Sequence, residues 1–162
     1  MIATIEKGTA YGRVEGPPSK SVSHRYLICG ALSFGSVIEN VAFSEDIKAT
    51  LNCLSALGAQ IEIDGSTVKT GGISPDKAVK CAELFCNESG STLRFLIPLC
   101  LLFGQKITLK GTQRLMSRSL AVYKEMCLSQ GIEFREDKES VTVCGRLTPG
   151  KYSVRGDVSS QF

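Results

Sequence analysis

Residues 16–25 read GPPSKSVSHR, which gathers Lys20, Ser21, Ser23, His24 and Arg25 behind a double proline. Lysine supplies a point charge, and arginine a forked donor that matches phosphate or carboxylate. Serine hydroxyls add neutral hydrogen bonds. Ser21 and Arg25 stand one helical turn apart and share a face, which suits a pocket for a phosphorylated small molecule. A serine N-cap behind Pro17 and Pro18 accounts for only one of these serines. His24 falls off that face and reads as a surface or structural histidine. Residues 87–94, NESGSTLR, repeat the theme with Gly90, Ser91, Thr92 and Arg94. Gly90 permits close backbone approach, and Arg94 either meets a ligand or pairs with Glu88. In TQRLMSRSL, Arg114 and Arg118 lie four apart, where a shared anion would relieve their repulsion and solvation would serve as well. Ser159, Ser160 and Gln161 form a last polar group in GDVSSQF.

The elements that must hold these groups recur along the chain. SHRYLICGALSFGSVIENV begins at Ser23, and TLRFLIPLCLLFGQKITLK at Thr92. Arg25 and Arg94 are each followed by an aromatic, then Leu-Ile, and later by Phe-Gly. The stretches that follow, from Thr50 and from Ala121, match as well: a helical pattern, Gly58 or Gly131, a strand, a polar turn and a second strand. Matching patterns in one order imply duplication of a supersecondary unit. The unit reads strand, loop, helix, strand, helix, hairpin, an α+β arrangement with helices buried against mixed sheets. Unit one runs over about 11–74, unit two over about 79–147, and the start of unit three over about 150–162. The first helices are expected from Ser21 to about residue 34 and from Ser91 to about 103, buried because they are nearly all apolar. The second helices are expected at about 45–57 and 117–130. Asp64-Gly65 marks a hairpin turn. Ser159-Ser160-Gln161 stand where the polar loops of the first two units stand, so the chain reads as a piece of a longer protein.

The 162 residues are 43% hydrophobic and 22% charged, with formal net charge +3, globular values too mild in charge to argue for nucleic acid. The one histidine and 7% aromatics argue against an RNA-binding or RNA-processing module. The seven cysteines lie mostly in apolar runs, without CxxC, and read as buried thiols in a reducing compartment. No metal site is expected from their spacing. FLIPLCLLF is too short to span a bilayer and no signal peptide is evident, so a cytoplasmic protein without membrane or nucleic-acid partners is expected.

Four segments carry a resemblance to a known family. GPPSKSVSHR resembles the P-G-S-K-S-x-S-x-R signature of the 5-enolpyruvylshikimate-3-phosphate (EPSP) synthases, the 3-phosphoshikimate 1-carboxyvinyltransferases. SGSTLRF resembles their N-A-G-T-A-x-R-P segment, QRLMSRSL their R-x-M-x-x-R-P segment, and GDVSSQF their S-S-Q-[FY] segment. All four occur in family order along the whole chain. The resemblance implies two globular domains of three βαβαββ units each, of which this chain carries part of one. It implies transfer of the enolpyruvyl group of phosphoenolpyruvate to the 5-hydroxyl of shikimate 3-phosphate, with neither metal nor organic cofactor. Lys20 would touch both substrates and act in catalysis. Ser21, Arg25, Ser159, Ser160 and Gln161 would hold shikimate 3-phosphate, and Gly90, Arg118 and Gln161 would line the phosphoenolpyruvate site. The acid and base would come from the absent part, so the piece alone is expected to be inactive and to self-associate over uncovered apolar surface. Pro18, Glu88, Phe95 and Ser119 depart from the family pattern without removing an implied ligand. Two alternatives stand beside this reading: UDP-N-acetylglucosamine enolpyruvyl transferase, whose signature has asparagine where Ser21 follows Lys20, and a non-catalytic anion-binding module.

Overall fold

The computed structural model describes residues 4, 7–9, 11–79 and 82–154. Serine hydroxyls start the long helices. Ser19 caps α1 (Lys20–Ala31), Ser44 caps α2 (Glu45–Ala56) and Ser89 caps α3 (Gly90–Cys100), each accepting a hydrogen bond from the backbone N–H three residues on. Between α1 and α2 lies β1 (Ser36–Ile38), and after α2 come β2 (Gln60–Asp64) and β3 (Thr67–Gly71). The hairpin turns where the sequence predicts, with Asp64 facing Thr67 and Gly65 at φ 56°. These strands form an antiparallel sheet in the order β1-β3-β2.

The second half contributes β4 (Glu83–Phe85), β5 (Ile107–Lys110), β6 (Glu133–Glu136) and β7 (Ser140–Cys144), in the order β4-β5-β7-β6. β4 runs parallel to β5, and the other pairs are antiparallel, so this sheet is mixed. In both sheets the last hairpin strand is central, flanked by its hairpin partner and by the strand that follows the buried helix. The second helix of each half also ends alike. After α2, Gly58 N–H donates to Ser55 and Ala59 N–H to Leu54; after α5 (Ala121–Ser129), Gly131 N–H donates to Leu128 and Ile132 N–H to Cys127. Gly131 sits at φ 68°, the left-handed closure that glycine makes without strain. One apolar core joins both halves, with Leu27, Leu54, Leu84, Leu96, Ile97 and Leu109 fully buried.

Several expectations fail for identifiable reasons. The helix expected over 117–130 begins late, as α5 at Ala121, and a separate turn, α4 (Gln113–Met116), precedes it. Thr112 caps α4, while Ser117 donates to the Arg114 carbonyl and closes the turn, so serines on both sides of Arg118 favour an interruption. The first helix is half-buried: Leu27 and Ala31 face the core, but Val22, Tyr26 and Leu32 face outward. Its apolar composition conceals that division. Both first helices also stop earlier than expected, at Ala31 and Cys100. No strand precedes α1 among the described residues. Residues 155–162, with Ser159, Ser160 and Gln161, lie outside the described residues.

Pro98 sits inside α3 and offers no N–H to the Arg94 carbonyl one turn back. The Tyr123 hydroxyl fills that vacancy at 2.7 Å, tying α5 to α3, and burial pushes the phenol up to about 12. Among the described residues no helix is long and apolar enough to cross a membrane.

Candidate active site

The N-termini of α1, α2 and α3 are bonded to one another. Lys20 Nζ meets Asp46 Oδ2 at 2.6 Å, linking the first turns of α1 and α2. Thr92 Oγ1 donates to the Asp46 carbonyl at 3.3 Å and to Ser89 Oγ at 2.6 Å, linking α2 to α3. Arg118, in the break between α4 and α5, reaches the start of α3. A Cβ built on Gly90 would stand 2.5 Å from Arg118 Nη1, so the guanidinium occupies the space that the absent side chain leaves.

The charge distribution separates these helix starts. A helix N-terminus carries partial positive charge and unpaired N–H groups. On α2, Glu45 and Asp46 answer that charge within the first turn. Neither α1 nor α3 has an acidic residue there. Their positive ends are left to an external anion, with Lys20 at one and Arg118 at the other. Arg25 projects from the exposed side of α1, donates to the Ser21 carbonyl at 2.9 Å, and stacks over Phe95 of α3 at 4.8 Å from the ring centre. Among the described residues neither Arg25 nor Arg118 has a carboxylate partner. Lys20 does, so an arriving anion must share it with Asp46. The pair is half-exposed, which makes that exchange inexpensive.

His24, one turn after Lys20 on α1, is fully buried. Its Nδ1 is 2.8 Å from Thr50 Oγ1, and Thr50 is 2.7 Å from Thr92. Burial holds the imidazole below its ordinary pKa; nearby Lys20 and Arg25 act in the same direction, and Asp46 opposes them. It is buried rather than at the surface, and it lies off the Ser21–Arg25 face.

The structure therefore brings Lys20, Gly90 and Arg118 to neighbouring helix starts, with Ser21 exposed at the first turn of α1 and Arg25 beyond it. The family model for EPSP synthase (3-phosphoshikimate 1-carboxyvinyltransferase) matches residues 6–162. The chain belongs to that family. It is 49% identical over 154 residues to a 3-phosphoshikimate 1-carboxyvinyltransferase of Clostridium kluyveri, covering 93% of this chain and 36% of the relative. It is 39% identical over 163 residues to the Clostridioides difficile protein of the same name, covering 93% and 37%. Among solved structures, an EPSP synthase from Acinetobacter baumannii superposes with TM-score 0.71 at 24% identity, over 83% of this chain and 32% of that one. That likeness supports the α+β fold. The chain spans little more than a third of the length of these curated relatives.

Three contacts escape a reading of the EPSP synthase motifs alone: Asp46 on Lys20, Phe95 under Arg25, and the Thr50–Thr92 link. Asp46 is an acid in the first turn of its own helix after the Ser44 cap. Nothing in the spacing showed that it turns toward Lys20.

Proposed function

We propose that this chain is the N-terminal part of an enzyme that transfers the enolpyruvyl group of phosphoenolpyruvate to the 5-hydroxyl of shikimate 3-phosphate. The observation that carries the reading is the pair of acid-free helix starts, α1 and α3, bordered by Lys20, Arg25 and Arg118 in a chain of this family. Both substrates are multiply charged anions, and the α2 start, carrying its own acids, is unsuited to either.

In the reaction the 5-hydroxyl oxygen bonds to C2 of phosphoenolpyruvate as C3 takes a proton and the hydroxyl loses one. The tetrahedral intermediate then expels phosphate, restoring the double bond with loss of a C3 proton. Charge on the carboxylate and phosphate is present throughout, so fixed cations serve every step. Lys20, at the start of α1, would contact both substrates. Ser21 and Arg25, with Ser159, Ser160 and Gln161, would hold shikimate 3-phosphate. Gly90 and Arg118 would receive phosphoenolpyruvate, with Gln161 near both. The chain is read as about two βαβαββ units and the beginning of a third. The acid and base, and the cover for the exposed face of α1, would come from the rest of the enzyme. Alone, the chain would self-associate through that face.

The test supplies the purified chain with both substrates, alone and mixed with the remaining portion of a close relative, and follows phosphate release. No release alone and release on mixing are expected. Turnover by the chain alone would overturn its incompleteness. Binding of UDP-N-acetylglucosamine in preference to shikimate 3-phosphate would overturn the assignment, and binding of neither would favour a non-catalytic module.

A further inference from the structure

Four side chains on three helices form one continuous buried run: His24 on α1, Thr50 on α2, Thr92 on α3 and Ser89 at the α3 cap. The distances are 2.8, 2.7 and 2.6 Å, and all four residues are at 0% exposure. Counting protons gives the run a direction. Thr92 has one hydroxyl proton, directed at Ser89 Oγ and the Asp46 carbonyl; a carbonyl can only accept. The proton between Thr50 and Thr92 must then be Thr50's. Thr50 has none left for His24, so His24 Nδ1–H is the donor. This leaves Nε2 as a bare lone pair, and Nε2 is indeed buried without a partner. Lys20 and Arg25 lie near the ring and disfavour a second proton; Asp46, which would favour one, is tied to Lys20.

The run ends where the site begins. Ser89 Oγ caps the Thr92 N–H at 3.2 Å, and Gly90, the next residue, carries Arg118 in the space beside it. Lys20 lies one turn before His24 on α1. We propose that His24 is a positioning residue: through Thr50, Thr92 and Ser89 its Nδ1–H sets the start of α3, with Gly90, against the start of α1, with Lys20. The functional part of this proposal rests on reading those two helix starts as substrate sites. Internally satisfied hydroxyl chains of this kind are rigid, because each bond polarises the next and no water can replace a lost one.

The chain holds a single histidine, so imidazole nitrogen resonances of the 15N-labelled protein are unambiguous. At pH 7.5 a neutral ring protonated on Nδ1 is expected. A ring protonated on Nε2 would overturn the proposal, and this reading depends on no variant folding. Thr50→Val and His24→Leu, which break the run, are expected to move the amide signals of residues 89–92 and to weaken phosphoenolpyruvate-induced shifts at Gly90 about ten-fold, the equivalent of one buried hydrogen bond. His24→Asn, whose side-chain N–H stands near the place of Nδ1, is expected to restore both. Unmoved signals at 89–92 in Thr50→Val and His24→Leu, or failure of His24→Asn to restore them, would overturn the proposal. If phosphoenolpyruvate leaves the unmodified chain untouched while Thr50→Val still moves 89–92, the positioning stands and the substrate reading fails.

Discussion

Replacing Gly90 by alanine separates a binding role from a folding role at one atom. The added Cβ would stand 2.5 Å from Arg118 Nη1 and 3.6 Å from Cζ, where ordinary contact begins near 3.4 Å. The guanidinium must therefore retreat by roughly 1 Å. It is the far end of a flexible, exposed side chain, so the fold loses little. Alanine is also the better helix former, by about 0.5–1 kcal/mol. A melting temperature unchanged or slightly raised is expected. Binding should respond in the opposite sense. A charge-assisted hydrogen bond contributes about 1.5–3 kcal/mol, so losing the Arg118 contact to phosphoenolpyruvate should weaken it roughly ten- to hundred-fold. Shikimate 3-phosphate, assigned to the α1 side, should bind as before. The assay is a pair of NMR shift titrations, one for each substrate, with a thermal melt of the same sample. Unchanged phosphoenolpyruvate affinity, or an equal loss for both substrates, would refute the placement of Arg118 beside that ligand.

Other outcomes follow from the same geometry. Lys20→Met removes only a half-exposed ion pair, so stability should change by less than about 1 kcal/mol while binding of shikimate 3-phosphate is lost; denaturant unfolding and titration read the two separately. Leu54→Ala, in the centre of the core, should cost about 2–5 kcal/mol by denaturant unfolding. His24 is held below its ordinary value of 6.5, so the unfolded chain binds the extra proton first. Its contribution to stability is therefore complete above pH 6.5 and is lost as pH falls through the lower folded value. His24→Asn should remove that part of the pH dependence of unfolding. A hydrogen bond with Cys53 and burial raise the Cys86 thiol, burial raises Cys100, and burial pushes Cys127 up to about 11. Among the described cysteines a thiol reagent should modify exposed Cys29 first and reach those three only on unfolding.

What could be read from residues alone was local. The serine cap behind Pro17 and Pro18 and the Gly65 hairpin follow from backbone chemistry within a few positions, and both appear in the structure. The clustering of Lys20, Ser21 and Arg25 was equally plain, because they occupy a single helix start. Composition misled where the third dimension decides. The first helix is apolar on two faces but packs on one, and no periodicity revealed which. The break at Arg118 depends on Ser117 and Ser119 winning their carbonyl and N–H partners from a continuing helix. The pairing of Lys20 with Asp46, and the run from His24 to Ser89, join residues far apart in sequence whose types are ordinary in isolation.

The most direct measurement is a crystal structure of the chain grown with shikimate 3-phosphate. The account predicts the phosphoryl group at the first turn of α1, within hydrogen-bond distance of Ser21 and Arg25, and the ring hydroxyls turned toward Lys20 and the start of α3. A phosphoryl group bound elsewhere on the surface, or those side chains bare beside a soaked ligand, would contradict it.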